Sequence, residues 1–423
     1  MTTPSAGPSN DPGAGDAPAA HSSSGRAGWV VVGALMAGYI GIYLCRKNLS
    51  VAVPLLQDAL GASKKEVGHI ASAGALAYAA GKLLLGPVVD KIGGRAGFLL
   101  SLAAVALFGA AGAFAPGLAL LTTAYGLNRF VGSAAWGGMI KLVPTWFQRS
   151  RAATVIGVMS VSYVVGGLAA TLLARTIVGA GGGWRAVMGL PSIALVAIAI
   201  PCIFLVRRGP LHAETGAPAK KRPLAEYISL FRRPQFLVVC ALSFTITLMR
   251  ESFAIWSVDF LTSIQGSSKS VVTAALQSIG FDIAGIVAIL VSGAAYDKVA
   301  PPRRRFLVAG TLALLSAVLF ILPGAAKASS LAGVVLIGLV GLLVYGPYSL
   351  LAGVLAVESG GAKLAATTAG IIDGIGYIAA VLAGSTLGLL LDIGGYTLGF
   401  RALAAVTATA AVIALALRSD RAS

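Results

Sequence analysis

Residues Gly86–Arg95 read GPVVDKIGGR, and residues Gly293–Arg305 read GAAYDKVAPPRRR. Each is a Gly-x-x-x-Asp-Lys step that follows a long apolar run and leads into basic residues. A second pair of positions repeats at nearly the same offset. Arg46, inside YLCRKNLSVAVP (Tyr43–Pro54), and Arg250, inside TLMRESFAIWSVDFL, each sit within an apolar run. Two independent features with offsets agreeing to within three residues point to an internal duplication, a chain built as two equivalent halves.

Composition sets what the halves are made of. Of 423 residues, 57% are hydrophobic and only 11% charged, with a mean hydropathy of +0.87, well outside the range of soluble domains. Twelve apolar stretches lie between residues 28 and 417. Each reaches roughly 20 residues or more, the length a helix needs to cross a ~30 Å hydrocarbon layer. The 54 glycines would weaken soluble helices, but in a bilayer they let helices approach closely. The expected fold is an all-α membrane protein, with twelve transmembrane helices in two six-helix bundles related by pseudo-two-fold symmetry. Residues 1–27, rich in Ser, Pro, Gly and Ala, are expected to form a disordered cytoplasmic tail. Residues 28–206 form the first bundle, 207–234 a polar cytoplasmic linker containing AKKRPLAEY, and 235–423 the second bundle. The first apolar segment is too long for a secretory signal and lacks a cleavage site after a short core, so it anchors the chain.

The net charge of +17 would suggest nucleic acid in a soluble protein, so the placement of the cations matters more than their number. Of the 32 Lys and Arg, nineteen fall on the side of the spans that holds both termini and seven on the opposite side. By the positive-inside rule both termini are cytoplasmic, and the basicity needs no nucleic-acid partner. Three cysteines and three histidines are scattered through the chain, with no metal or disulfide spacing. No cofactor and no metal are expected. Nucleophile–base pairs and phosphate-cradling glycine loops are also missing, which excludes an enzyme.

Six cations remain inside the spans: Arg46, Lys47, Lys82, Arg129, Lys141 and Arg250. Near the bilayer centre each costs about 2.5–3.5 kcal/mol on insertion scales. Arg46 is too far from either end of its span to snorkel out. Glu251, Asp259, Asp282 and Asp373 also lie in spans and can pair with cations; one of Glu251, Asp282 and Asp373 can instead carry a proton. Four acids against six cations leave a formal excess of two positive charges. An anionic substrate would complete the balance. Arginine stays protonated and offers a planar fork that matches phosphate or carboxylate. Arg129 and Lys141 stay open between shaping a cavity and simple packing.

Six-helix halves in parallel repeat, with Gly-x-x-x-Asp-Lys-x-Gly-Gly-Arg after the second helix, resemble the major facilitator superfamily. That resemblance implies gating roles for Asp90, Lys91 and Arg95, and by repetition for Asp297 and Lys298, pairing across the bundles to hold the cytoplasmic side shut in one state. YLCRKNLSVAVP, the segment YGPYSLLAGVLAVESGGAKLAATTAGIIDGIGYIAA (Tyr345–Ala380) and WSVDFL resemble the organophosphate:phosphate antiporters. By that resemblance Arg46 and Arg250 clamp the phosphate, and Lys47 and Lys82 add to a positive cavity. Tyr39, Tyr43, Tyr78, Tyr345 and Tyr377 line it, and Asp282 matches an acidic position of the eighth helix. Tyr163 stands where glycerol-3-phosphate transporters carry a histidine, while Glu251 and Asp373 are additional acids that can relay a proton or pair with cations.

The expectation is a monomeric, multi-pass transporter in the plasma membrane. It exchanges an organophosphate for inorganic phosphate by alternating access, with the anion bridging one arginine from each half. Two other readings are a proton-coupled carboxylate or sugar-acid symporter and a sugar-phosphate membrane sensor.

Overall fold

The computed structural model describes residues 19–210, 229–265, 271–351, 355 and 365–417, and these are almost entirely helical. The first half comprises α1 (Ala19–Lys47), α2 (Leu49–Leu60), α3 (Lys64–Ile92), α4 (Gly94–Ala113), α5 (Leu118–Trp146), α6 (Arg149–Gly179) and α7 (Trp184–Leu205). The second comprises α8 (Pro234–Gln265), α9 (Val271–Lys298), α10 (Arg304–Ala328), α11 (Ser330–Leu351) and α12 (Ala365–Ala414). Helix α1 begins upstream of the expected start at residue 28. Residues 1–18 of the expected tail, and most of the linker, lie outside the described residues.

Among the described residues, ten helices are long and apolar enough to cross a membrane. The twelve expected spans reconcile with these ten in two ways. Helix α12 is two helices joined at Gly394–Gly395, where Gly395 takes φ 61°, a backbone conformation a side chain would strain. Helix α5 carries Asn128, Arg129 and Lys141 and is too polar to qualify. The first span is itself interrupted at Asn48. Val51 N donates to the Asn48 carbonyl, which frees the carbonyl of Lys47, and the Ser50 hydroxyl takes it up at 3.1 Å. The Asn48 amide is held by the Val187 carbonyl at 3.0 Å. Pro54 just beyond cannot donate to a ladder. The break makes Arg46 and Lys47 the last residues of α1, where the negative end of the helix dipole favours cations.

Within the first half α5 packs against α3 and α4, and α1 against α6 and α7; in the second, α9 packs against α11, and α12 against α8 and α10. The halves meet where α2 touches α8, α3 touches α12 and α6 touches α9. These contacts gather at the end carrying the α2–α3 turn, opposite the two termini. There α3 and α12 cross backbone to backbone: a Cβ at Gly68 would run into the Gly384 carbonyl oxygen, and one at Gly384 into that of Gly68. The Ser72 hydroxyl donates to the Val381 carbonyl at 2.5 Å and accepts from Ser385 N at 2.8 Å. Gly384→Leu is therefore expected to push α3 off α12 by a few ångströms without blocking insertion. The readout is a longer distance between spin labels on the exposed positions Lys65 and Ile393.

The Gly-x-x-x-Asp-Lys turn departs from the cross-bundle pairing that the resemblance implies. Asp90 pairs with Lys141 at 2.6 Å, and Arg95 donates to the carbonyls of Val206 and Ile203 at 2.7 and 2.9 Å. All of these partners belong to the same half. Lys91 is exposed at the rim of a groove of about 960 Å³ that also holds Asp90, Arg95 and Lys141. Lys298 is exposed, and the side chain of Asp297 lies outside the described residues. With the halves joined at the far end, the two turns have no reason to meet in this conformation.

Candidate functional site

Tyr39, Tyr43, Arg46 and Lys47 are spaced at i, i+4, i+7 and i+8, which places them along one face of α1. That face looks onto a cavity of about 80 Å³ between the halves, lined by Tyr43, Arg46 and Lys47 from α1, Tyr125 and Arg129 from α5, and Tyr163 from α6. The second half contributes Arg250 and Glu251 from α8, Asp282 from α9 and Tyr345 from α11. The volume holds several waters. Arg46 and Arg250, one from each half, thus border a single void. Among the described residues, four cations and two carboxylates line it, a formal excess of two positive charges.

The ion pairs decide where that excess sits. Lys47 reaches across to Asp282, with Nζ at 3.0 and 3.1 Å from the two oxygens, and the Tyr345 hydroxyl donates to the same carboxylate at 3.4 Å. Lys82 pairs with Asp373, also across the halves, at 2.7 Å. Arg250 pairs with its neighbour Glu251 and lies 4.6 Å above the Tyr348 ring, while its buried Nε makes no hydrogen bond. Lys141 belongs to Asp90, and Asp259 to Lys64. Among the described residues, Arg46 and Arg129 alone of the six in-span cations have no carboxylate partner.

Aromatic faces hold those two instead. The Arg46 guanidinium lies 4.9 Å from the Tyr43 ring centre and 4.8 Å from that of Tyr78, and donates to the Tyr43 hydroxyl at 3.2 Å. Its backbone carbonyl accepts from the Tyr125 hydroxyl at 3.0 Å. A ring quadrupole stabilises a cation by about 0.5–2 kcal/mol without neutralising it. The positive charge stays available to an anion.

The candidate residues therefore divide. Arg46, Arg250, Lys47, Tyr43, Tyr163, Tyr345, Glu251 and Asp282 are brought together at the cavity. Tyr39 and Tyr78 lie behind Arg46, beside a second void of about 10 Å³. Tyr377 packs on Tyr78 with ring centres 5.2 Å apart. Lys82 is not among the residues lining the main cavity, and its charge is taken by Asp373 between the Tyr78 and Tyr377 rings. Arg250 is also less free than expected, because Glu251 occupies part of its fork. Tyr125, Tyr348 and Arg129 were outside the expected substrate set. Tyr125 lies one helical turn before Arg129, and Tyr348 just after Tyr345, and those spacings were the available signal.

Three comparisons bear on this arrangement. The sequence model of the Major Facilitator Superfamily matches residues 35–384. A probable hexose phosphate transport protein of Chlamydia pneumoniae is 27% identical over 405 residues, covering 89% of this chain and 88% of that protein. A glycerol-3-phosphate transporter of Bacillus subtilis is 26% identical over 394 residues, covering 86% of each. Among solved structures, a bacterial homolog of the human lysosomal transporter Spinster, in an inward-facing unoccupied conformation, has a TM-score of 0.76 at 15% identity, covering 92% of this chain and 96% of that one. At that identity the likeness speaks for the fold, and it is met by helices in two bundles around one charged void. With the family match running through most of both halves, the chain belongs to the Major Facilitator Superfamily, and it is a multi-pass membrane transporter, not an enzyme.

Proposed function

We propose that this protein carries small organic phosphates across the plasma membrane and exchanges them for inorganic phosphate by alternating access. The observation that supports the reading is a shared cavity bordered by Arg46 from one half and Arg250 from the other, with two positive charges in excess among the described residues. A dianion matches that charge, and two guanidinium forks suit its tetrahedral oxygens. The names of the hexose phosphate and glycerol-3-phosphate relatives support the same cargo. Residues 28–206 and 235–423 act as the two moving bodies, and both termini face the cytoplasm. In that orientation the contacts between α3 and α12 close the outer side. The substrate lowers the barrier to switching because it binds the compact intermediate, where both arginines reach it, better than either open form.

The test is uptake of labelled glycerol-3-phosphate and glucose-6-phosphate into proteoliposomes loaded with inorganic phosphate. Uptake that needs internal phosphate and ignores a pH gradient is expected. Because Glu251 faces the same cavity and a buried carboxyl can carry a proton, a proton-coupled sugar-acid symporter is the second reading. Uptake that follows the pH gradient and ignores internal phosphate would replace the first reading with it.

A further inference from the structure

Among the described residues, Arg129 is the one cavity-lining cation that neither the clamp of Arg46 and Arg250 nor the Lys47–Asp282 pair accounts for. It sits within α5 at 7% exposure, makes no ion pair among the described residues, and borders both the main cavity and the small void behind it. Its guanidinium lies 4.8 Å from the centre of the Tyr78 ring, the same distance as that of Arg46. Two permanent positive charges thus share one aromatic ring with no carboxylate paired to either among the described residues. One ring does not offset the repulsion between them and the desolvation of both.

The surroundings are built to hold Arg129 there. Asn128 anchors α5 through the Val105 carbonyl at 2.9 Å. Gly74 on α3 clears the space: a Cβ there would stand 3.2 Å from Arg129 Cγ and closer still to the Tyr125 ring. A side chain that only packed would need neither the charge nor the cleared path.

We propose that Arg129 is a third substrate-binding arginine, and that Arg46 and Arg129, both in the first half, form the primary seat for a tetrahedral dianion. Arg250 joins afterwards, when the anion displaces Glu251 from its fork. The inference rests on the reading of the cavity as an anion site and extends it to an ordered capture. The half with the two unpaired guanidinium groups takes the phosphate group first, and the organic portion faces Glu251 and the second half. A dianion satisfies the pair; a monoanionic sugar acid leaves one charge unmet.

The experiment measures binding and thermal melting of the purified full chain with inorganic phosphate, glycerol-3-phosphate and glucuronate, in the parent and in Arg129→Gln and Arg129→Lys. Arg129→Gln should weaken phosphate binding by about tenfold to a hundredfold, the effect of losing charge-assisted hydrogen bonds. It should also melt higher than the parent without ligand, because a buried unpaired charge is gone, and lose most of the phosphate-induced rise in Tm. A purely structural arginine would give the opposite ligand-free shift. Arg129→Lys keeps the charge without the fork and should fall between, which decides the matter if the glutamine variant does not fold. A parent that binds phosphate alongside variants that bind it equally well would overturn the role of Arg129 and leave the transporter reading standing. A parent that binds none of the three probes would overturn the anion-site reading itself, and one that binds glucuronate alone would overturn the phosphate cargo in favour of a sugar acid.

Discussion

Arg46→Lys is expected to lower phosphate exchange in proteoliposomes by about a hundredfold, and Arg250→Lys by distinctly less. Both substitutions keep a positive charge and both lose the planar fork, so chemistry alone predicts equal effects. The surroundings make the difference. Arg46 has no carboxylate among the described residues and is held by the Tyr43 and Tyr78 rings, so apart from the bond to the Tyr43 hydroxyl its donors can meet substrate. Arg250 already shares its fork with Glu251, so part of what it gives the substrate is offset by what it withdraws from that carboxylate. Loss of one or two hydrogen bonds to a charged ligand, each about 1.5–3 kcal/mol, sets the size of the first effect. Initial rates of labelled-phosphate counterflow, normalised to protein inserted, measure both variants. Equal losses would mean that Glu251 leaves Arg250 before substrate arrives. A larger loss at Arg250 would place the primary seat in the second half.

Arg46 was legible because a cation deep in an apolar run violates the usual pattern, and the duplication at Arg250 made the pair visible. The Arg250–Glu251 contact was not. Adjacent residues on a helix point roughly 100° apart and do not normally face one another, so no spacing rule pairs them; both simply border the same void. Lys47 and Asp282, or Lys82 and Asp373, are separated by more than half the chain. Their pairing depends on how the halves dock, which periodicity does not encode. The helical spans were readable from length and hydropathy, whereas the break at Asn48 depends on the Ser50 hydroxyl of α2 and the Val187 backbone carbonyl of α7 completing its hydrogen bonds. The six-to-four excess of buried cations was countable from the sequence. Its location on Arg46 and Arg129 required knowing which carboxylate each of the other cations meets.

The same docking creates a latch at the closed end that no motif announced, and Asp259→Asn is expected to release it. Asp259, 4% exposed on α8, accepts from Gln57 on α2 at 2.7 Å and from Tyr396 of α12, and is ion-paired with Lys64 at the start of α3. Lys64 Nζ also donates to the Gln57 side-chain oxygen at 3.3 Å. Beside this cluster, Asp392 receives the backbone N–H groups of Lys64 and Lys65 at 2.9 and 2.8 Å, a carboxylate from the second half capping a helix of the first. Opening this end separates Lys64 and Gln57 from Asp259, so the pair stabilises one transport state over the other. Removing one member of a buried pair costs about 3–5 kcal/mol, and because the asparagine keeps the shape and an acceptor, the loss falls mainly on the closed state. A shift of even half that size changes the ratio of the two states more than tenfold. The readout is labelling of Ser72→Cys by a membrane-impermeant maleimide, with the buried native cysteines Cys45, Cys202 and Cys240 replaced. Ser72 lies buried against α12, so the parent labels slowly and Asp259→Asn should label at least about ten times faster, a change that saturating phosphate partly reverses. Asp392→Asn, which loses only a cap worth about 1 kcal/mol, should fall between them. If Asp259→Asn labels no faster than the parent, the ion pair is not what holds this end shut, and the backbone crossing at Gly68 and Gly384 must suffice by itself.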